Sequence, residues 1–108
     1  MIFVVENIRG KQVVRNIYDK PVIDIHNIGD LKVLVEKESG YNNDLYIDFA
    51  NISYIDSSGL GALIDIMKKL KENGKKLGIV AIQEDVMMVF SHTKVEVYFD
   101  FYKCLDDI

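Results

Sequence analysis

Apolar positions along this chain recur in two rhythms, one of period two and one at helical spacing, and the switches between them divide it into elements. The opening stretch MIFVVENIRGKQVVRNIY reads as two β-rich runs around Arg9-Gly10-Lys11, which predicts a hairpin. Pro21 ends or edges the second run, because proline cannot donate to a strand ladder. In IDIHNIGDLKVLVEKESG the pattern turns helical. Ile28, Leu31, Leu34 and Val35 share one face and Lys32, Glu36 and Lys37 the other, with Asn27 as the expected N-cap and Gly40 as the stop. A strand over 45–49 sets Leu45, Ile47 and Phe49 on one side. Ile52 and Ile55 then lead into Asp56-Ser57-Ser58-Gly59-Leu60-Gly61. The helix beyond carries the stripe Leu60, Leu63, Ile64, Met67 and Leu70 and ends at Asn73-Gly74, with Lys68, Lys69 and Lys71 where they suit the helix dipole. KLGIVAI is the unbroken apolar run that a strand covered on both faces needs. EDVMMVFSH predicts a short helix with Val86, Val89 and Phe90 inward, VEVYF a last strand, and FYKCLDDI one or two closing helical turns.

After the hairpin, helices and strands alternate. That order predicts a mixed, mostly parallel sheet with helices packed against it and right-handed crossovers, an α/β architecture. The 108 residues suit one domain over 1–108, with 49% hydrophobic and 28% charged residues in an ordinary globular balance. A net charge of −4 supplies no basic footprint, which argues against nucleic-acid binding. No apolar run approaches membrane-spanning length and no signal-peptide pattern opens the chain, so the expectation is a cytoplasmic protein away from membranes. Cys104 is the sole cysteine, and His26 and His92 lack soft partners at ligand spacing, so neither a disulfide nor a metal site is expected.

The chemistry concentrates at the mouth of the long helix. Asp56, Ser57 or Ser58 can cap it, contributing about 1 kcal/mol. Capping leaves Gly59 and Gly61 unexplained, since each costs roughly 0.5–1 kcal/mol in a helix relative to alanine. Either tight internal packing or the close approach of another molecule should compensate. A nucleophile elbow needs glycine two residues before the serine, where Ile55 and Asp56 stand. A phosphate-binding loop needs Gly-Lys-Ser/Thr, but Ala62 and Leu63 follow Gly61, and a dinucleotide fingerprint would place glycine at Ile64. A Ser57–His26–Asp24 triad would have no motif-encoded oxyanion hole. The remaining reading is a serine that receives chemistry. A hydroxyl at a helix N-terminus seats a phosphoryl group well, because free amides and the dipole favour the added charge.

IDSSGLGALI, preceded by YIDFANISYID and followed by helix, glycine stop and apolar strand, resembles the STAS domain, in particular the stand-alone anti-sigma factor antagonists of bacteria. The resemblance spans nearly the whole chain. It implies a regulatory protein without enzymatic activity or cofactor, phosphorylated on Ser57 by an anti-sigma factor that is itself a serine kinase and supplies the ATP. The unmodified form would bind that partner and release the sigma factor, phosphorylation would end the complex, and a metal-dependent serine phosphatase would restore it. It further implies a partner-facing surface of Asp24, Asp56, Ser57, Ser58, Gly59, Leu60 and Gly61. VIDIHNIGDLK resembles the family's loop before the first helix and supplies Asp24, with Pro21 and Val22 in place of a glycine–acidic lead-in. Two other readings stay open: an unphosphorylated STAS scaffold subunit of a larger signalling or lipid-transport assembly, and a sensor of nucleotide or another small ligand.

Overall fold

The computed structural model describes residues 3–17 and 21–108. Met1, Ile2 and Tyr18, which the pattern assigns to the two opening runs, lie outside the described residues. The hairpin forms where Arg9 and Gly10 both take positive φ, 51° and 82°. That two-residue turn matches the right-handed twist of its strands, and Asn7 Oδ1 accepts from the Gly10 N–H at 2.9 Å. It joins β1 (Phe3–Ile8) to β2 (Lys11–Asn16) in antiparallel register, Phe3 opposite Asn16 and Ile8 opposite Lys11. Three parallel strands follow, β4 (Leu45–Asp48), β6 (Leu77–Val80) and β7 (Asp100–Tyr102), giving the order β1-β2-β4-β6-β7. Every residue of β4 and β6 is buried, as a strand covered on both faces requires.

The two coverings differ in kind. Helices α1 (Ile28–Glu38), α2 (Ser57–Glu72) and α3 (Glu84–His92) all pack on one face. Leu31, Leu34 and Val35 of α1, Leu60, Leu63 and Ile66 of α2, and Val86 and Phe90 of α3 meet Val14, Leu45, Ile47, Leu77 and Ile79 of the sheet. Ile66 is fully buried and Ile64 only partly, so the α2 stripe lies slightly round from the expected one. On the far face Val13, Tyr46 and Val80 gather Ile8, Tyr102, Leu105 and Ile108, and among the described residues no α-helix takes part. The rings of Tyr46 and Tyr102 lie against Gly78, where a Cβ would fall 2.6 Å from Tyr46 Cδ1. Burial, with Tyr102 alongside, pushes the Tyr46 phenol above its usual pKa and keeps it protonated. Arg9 reaches from the hairpin turn to donate to the carbonyls of Leu105 and Ile108.

The carboxyl-terminal expectation is corrected. Val95–Phe99 is no strand: Glu96–Tyr98 forms a 3-10 turn, and pairing with β6 begins at Asp100. Apolar alternation misleads here because Val97 and Tyr98 are exposed, while Phe99 and Phe101 set edge-to-face rings against Phe90 at 5.4 and 5.8 Å. Of the one or two closing helical turns expected over 101–108, one 3-10 turn forms, Leu105–Asp107, while Phe101 and Tyr102 belong to β7. A further element went unread in the pattern: β3 (Val22–Ile23) and β5 (Tyr54–Ile55) pair in parallel as a separate two-stranded sheet beside the main one.

Candidate functional site

The small β3–β5 sheet carries the mouth of α2. Val22 pairs with Tyr54 and Ile23 with Ile55, which puts Ile23 and Ile55 in the core and brings the loop after β3 against the start of the helix. Asp56, in extended backbone, caps α2: its Oδ1 accepts from Gly59 N–H at 2.7 Å. Its Oδ2 accepts from Ile25 N–H at 3.3 Å, so one carboxylate ties the helix to the loop. Asp24 closes that loop, its Oδ1 accepting from His26 N–H at 2.9 Å and its carbonyl from Asn27 and Ile28 N–H.

Asn27 holds the N-cap position of α1 without capping it through its side chain. The amide is used backwards instead, with Oδ1 accepting from Asp24 N–H at 3.0 Å and Nδ2 donating to the Val22 carbonyl at 2.8 Å. The expected cap is therefore a loop brace. The reason is competition: an asparagine in a tight turn reaches backbone groups behind it as readily as those ahead.

Ser57 is the first residue of α2 and exposed; Ser58 is half-buried. The Ser57 hydroxyl has no hydrogen-bond partner among the described residues, and His26 makes no bond to it. As first-turn amides, the N–H groups of Ser57 and Ser58 have no acceptor within the helix. The two glycines, expected to act alike, divide. Gly59 is buried against β3, where a Cβ would drive into the Ile23 carbonyl and come within 2.9 Å of Ile55 Cγ1. At Gly61 a Cβ would meet nothing within 4 Å. Leu60 is 6% exposed and joins the core. The surface expected from Asp24 and residues 56–61 is thus presented by Asp24, Asp56, Ser57, Ser58 and Gly61, while Gly59 and Leu60 are committed inward.

The strand carboxylate upstream, Asp48, is 6% exposed. Its Oδ1 accepts from Ala50 N–H at 2.9 Å and its Oδ2 pairs with Arg15 Nε at 3.3 Å. It turns the chain out of β4 towards β5 and does not reach the serines. Among the described residues no group of three His, Cys, Asp or Glu side chains could hold a metal. No helix among them is long and apolar enough to cross a membrane.

The family of the STAS domain matches residues 17–108. Over 72 residues the chain is 33% identical to an anti-sigma-B factor antagonist of Staphylococcus epidermidis, covering 66% of this chain and 67% of that one. The crystal structure of a candidate anti-sigma factor antagonist from Thermotoga maritima has the same fold, with a TM-score of 0.81 at 25% identity over 97% of this chain and 89% of that one. The phosphorylated form of the Bacillus cell fate determinant SpoIIAA shares the fold with a TM-score of 0.70 and 16% identity, covering 97% of this chain and 94% of its own.

Proposed function

Because this chain belongs to the STAS domain family, we propose that it is an anti-sigma factor antagonist switched by phosphorylation of Ser57. The unphosphorylated form binds an anti-sigma factor that is also a serine kinase, and the sigma factor is thereby freed. The similarity to the staphylococcal antagonist supports the general role. The observation that carries the switch is the exposed, unbonded Ser57 hydroxyl beside first-turn amides with no intrahelical acceptor.

The chemistry asked of this chain is small. The partner holds Mg-ATP, since phosphoryl transfer is chiefly positioning and electrostatics around the nucleotide. Ser57 Oγ attacks the γ-phosphorus, its proton passes to a base on the partner, and ADP leaves. The product adds about −1.5 to −2 charge beside the Asp56 carboxylate, on a chain already at −4. First-turn amides and the helix dipole accommodate that dianion in the free protein. An interface matched to a neutral serine does not, because burying an unpaired dianion costs several kcal/mol. A metal-dependent serine phosphatase hydrolyses the ester and resets the switch. Asp24 and Asp56 frame the surface, and Gly61 keeps it low.

The test combines the purified chain, its anti-sigma factor kinase and ATP, with the modified residue located by mass spectrometry. Phosphate is expected on Ser57, in wild type and in Ser58→Ala alike. Ser57→Ala should bind the kinase as wild type and take up no phosphate. Ser57→Asp should bind about 100-fold more weakly or worse. Labelling of Ser58 alone, or undiminished binding by Ser57→Asp, overturns the reading.

A further inference from the structure

Two large apolar side chains near the proposed acceptor are left exposed. Ile25 is 58% exposed and Tyr54 55% exposed. In β5, strand alternation sends Ile55 into the core and Tyr54 outward. Ile25 sits in the turn between β3 and α1, where its backbone N–H is anchored to Asp56 and its side chain is left outside. The 22–25 and 54–57 segments are joined by the Val22–Tyr54 and Ile23–Ile55 pairing and by that Asp56 bond, so the backbone at Ile25, Tyr54 and Ser57 forms one lip. Any protein that delivers a phosphoryl group to Ser57 Oγ must cover this lip, because a stable interface occupies about 800 Å² on each partner.

We propose that Ile25 and Tyr54 are the apolar anchors by which the chain holds its serine kinase, and that the charged groups around Ser57 switch the complex without supplying its affinity. The inference rests on the function proposed above. Interfaces draw most of their energy from a few desolvated side chains, with tyrosine enriched among them, whereas solvent-facing charges contribute little and are screened by salt. The kinase should accordingly present an apolar recess to this lip.

The experiment measures the affinity of the unphosphorylated chain for the kinase, and the steady-state kinetics of Ser57 phosphorylation, in wild type, Ile25→Ser, Tyr54→Ser and Val33→Ser. Val33 on α1 is 64% exposed, off the lip, and serves as the control for exposed apolar surface in general. Melting curves check that each variant folds. Ile25→Ser and Tyr54→Ser should each weaken binding at least tenfold and raise KM with kcat retained, and Val33→Ser should change neither by more than twofold. Wild-type affinity should fall less than threefold between 50 and 500 mM NaCl. Lip variants that bind as wild type, an equal loss from Val33→Ser, or a steep salt dependence would each overturn the assignment while the Ser57 switch stood. Absence of both binding and Ser57 labelling in wild type would remove the switch and the anchors together.

Discussion

At the scale of single residues, the mouth of α2 separates groups that look alike in sequence. Gly59 and Gly61 stand two apart in the same helix turn, yet only Gly59 meets a backbone carbonyl, that of Ile23. A carbonyl in a paired strand cannot move aside as a flexible side chain can. Gly59→Ala should therefore lose roughly 1–3 kcal/mol through overpacking. Gly61→Ala meets open space and should gain about 0.5–1 kcal/mol from helix propensity. Urea unfolding of the two variants reads the contrast directly, and equal losses would refute the packing assignment. The serines divide in the same manner: Ser57 is exposed and Ser58 half-buried, so Ser57 is the more open of the pair. The motif Asp56 to Gly61 marks the site on inspection of the sequence; the assignment of each glycine waits on β3.

Among the elements, α1 and α2 are joined across their solvent edges by Lys32 and Asp65, 2.9 Å apart. The Lys32 ammonium, through its hydrogen bond first and its charge second, holds the Asp65 carboxyl below the ordinary value of 3.8. A depressed carboxylate contributes stability above its unfolded pKa and loses it as pH falls through the folded value, so the contribution is complete well above 3.8 and declines as pH falls through and below it. Both side chains are substantially exposed, which limits the pair to a few tenths of a kcal/mol. Lys32→Ala should remove that increment at pH 7 and cost progressively less as pH falls below 3.8, as measured by denaturant midpoints across pH. A loss that did not shrink with falling pH would point to packing of the lysine stem. Helical periodicity located both helices, since each buries one continuous stripe. It could not show that Asn27 braces the 22–27 loop, because an N-cap and a backward brace require the same residue at the same place.

For the whole molecule, the sheet has one helical face and one face closed by tyrosines and the chain's final turn. That second covering depends on Arg9, whose guanidinium holds the carbonyls of Leu105 and Ile108 from the tip of the hairpin. Arg9→Ala should cost about 1 kcal/mol, the net worth of a hydrogen bond or two made from a half-exposed side chain. Amide exchange of residues 105–108 should accelerate by more than the global loss accounts for. Uniform acceleration across the whole chain would indicate instead that the hairpin, and not the final turn, had been loosened. Ser57 opens α2 beside the β3–β5 pair, so this change should leave the proposed kinase binding intact.

The alternation of α1, β4, α2, β6 and α3 after the hairpin, the hairpin turn at Arg9-Gly10, the apolar faces of α1 and α2 and the Asp56–Gly61 motif at the mouth of α2 were determined by the chain's own pattern. Each depends on residues within a turn or two of one another, where periodicity and capping chemistry operate. Tertiary structure alone decided the β3–β5 pairing, the close approach that requires Gly59, the start of β7 at Asp100 and the placing of all three helices on one face. Those features join segments distant in sequence, as Ile25 and Asp56 are at 31 positions. Two-residue strands bury too little to announce themselves locally, and they form because the core on either side has already brought their backbones together.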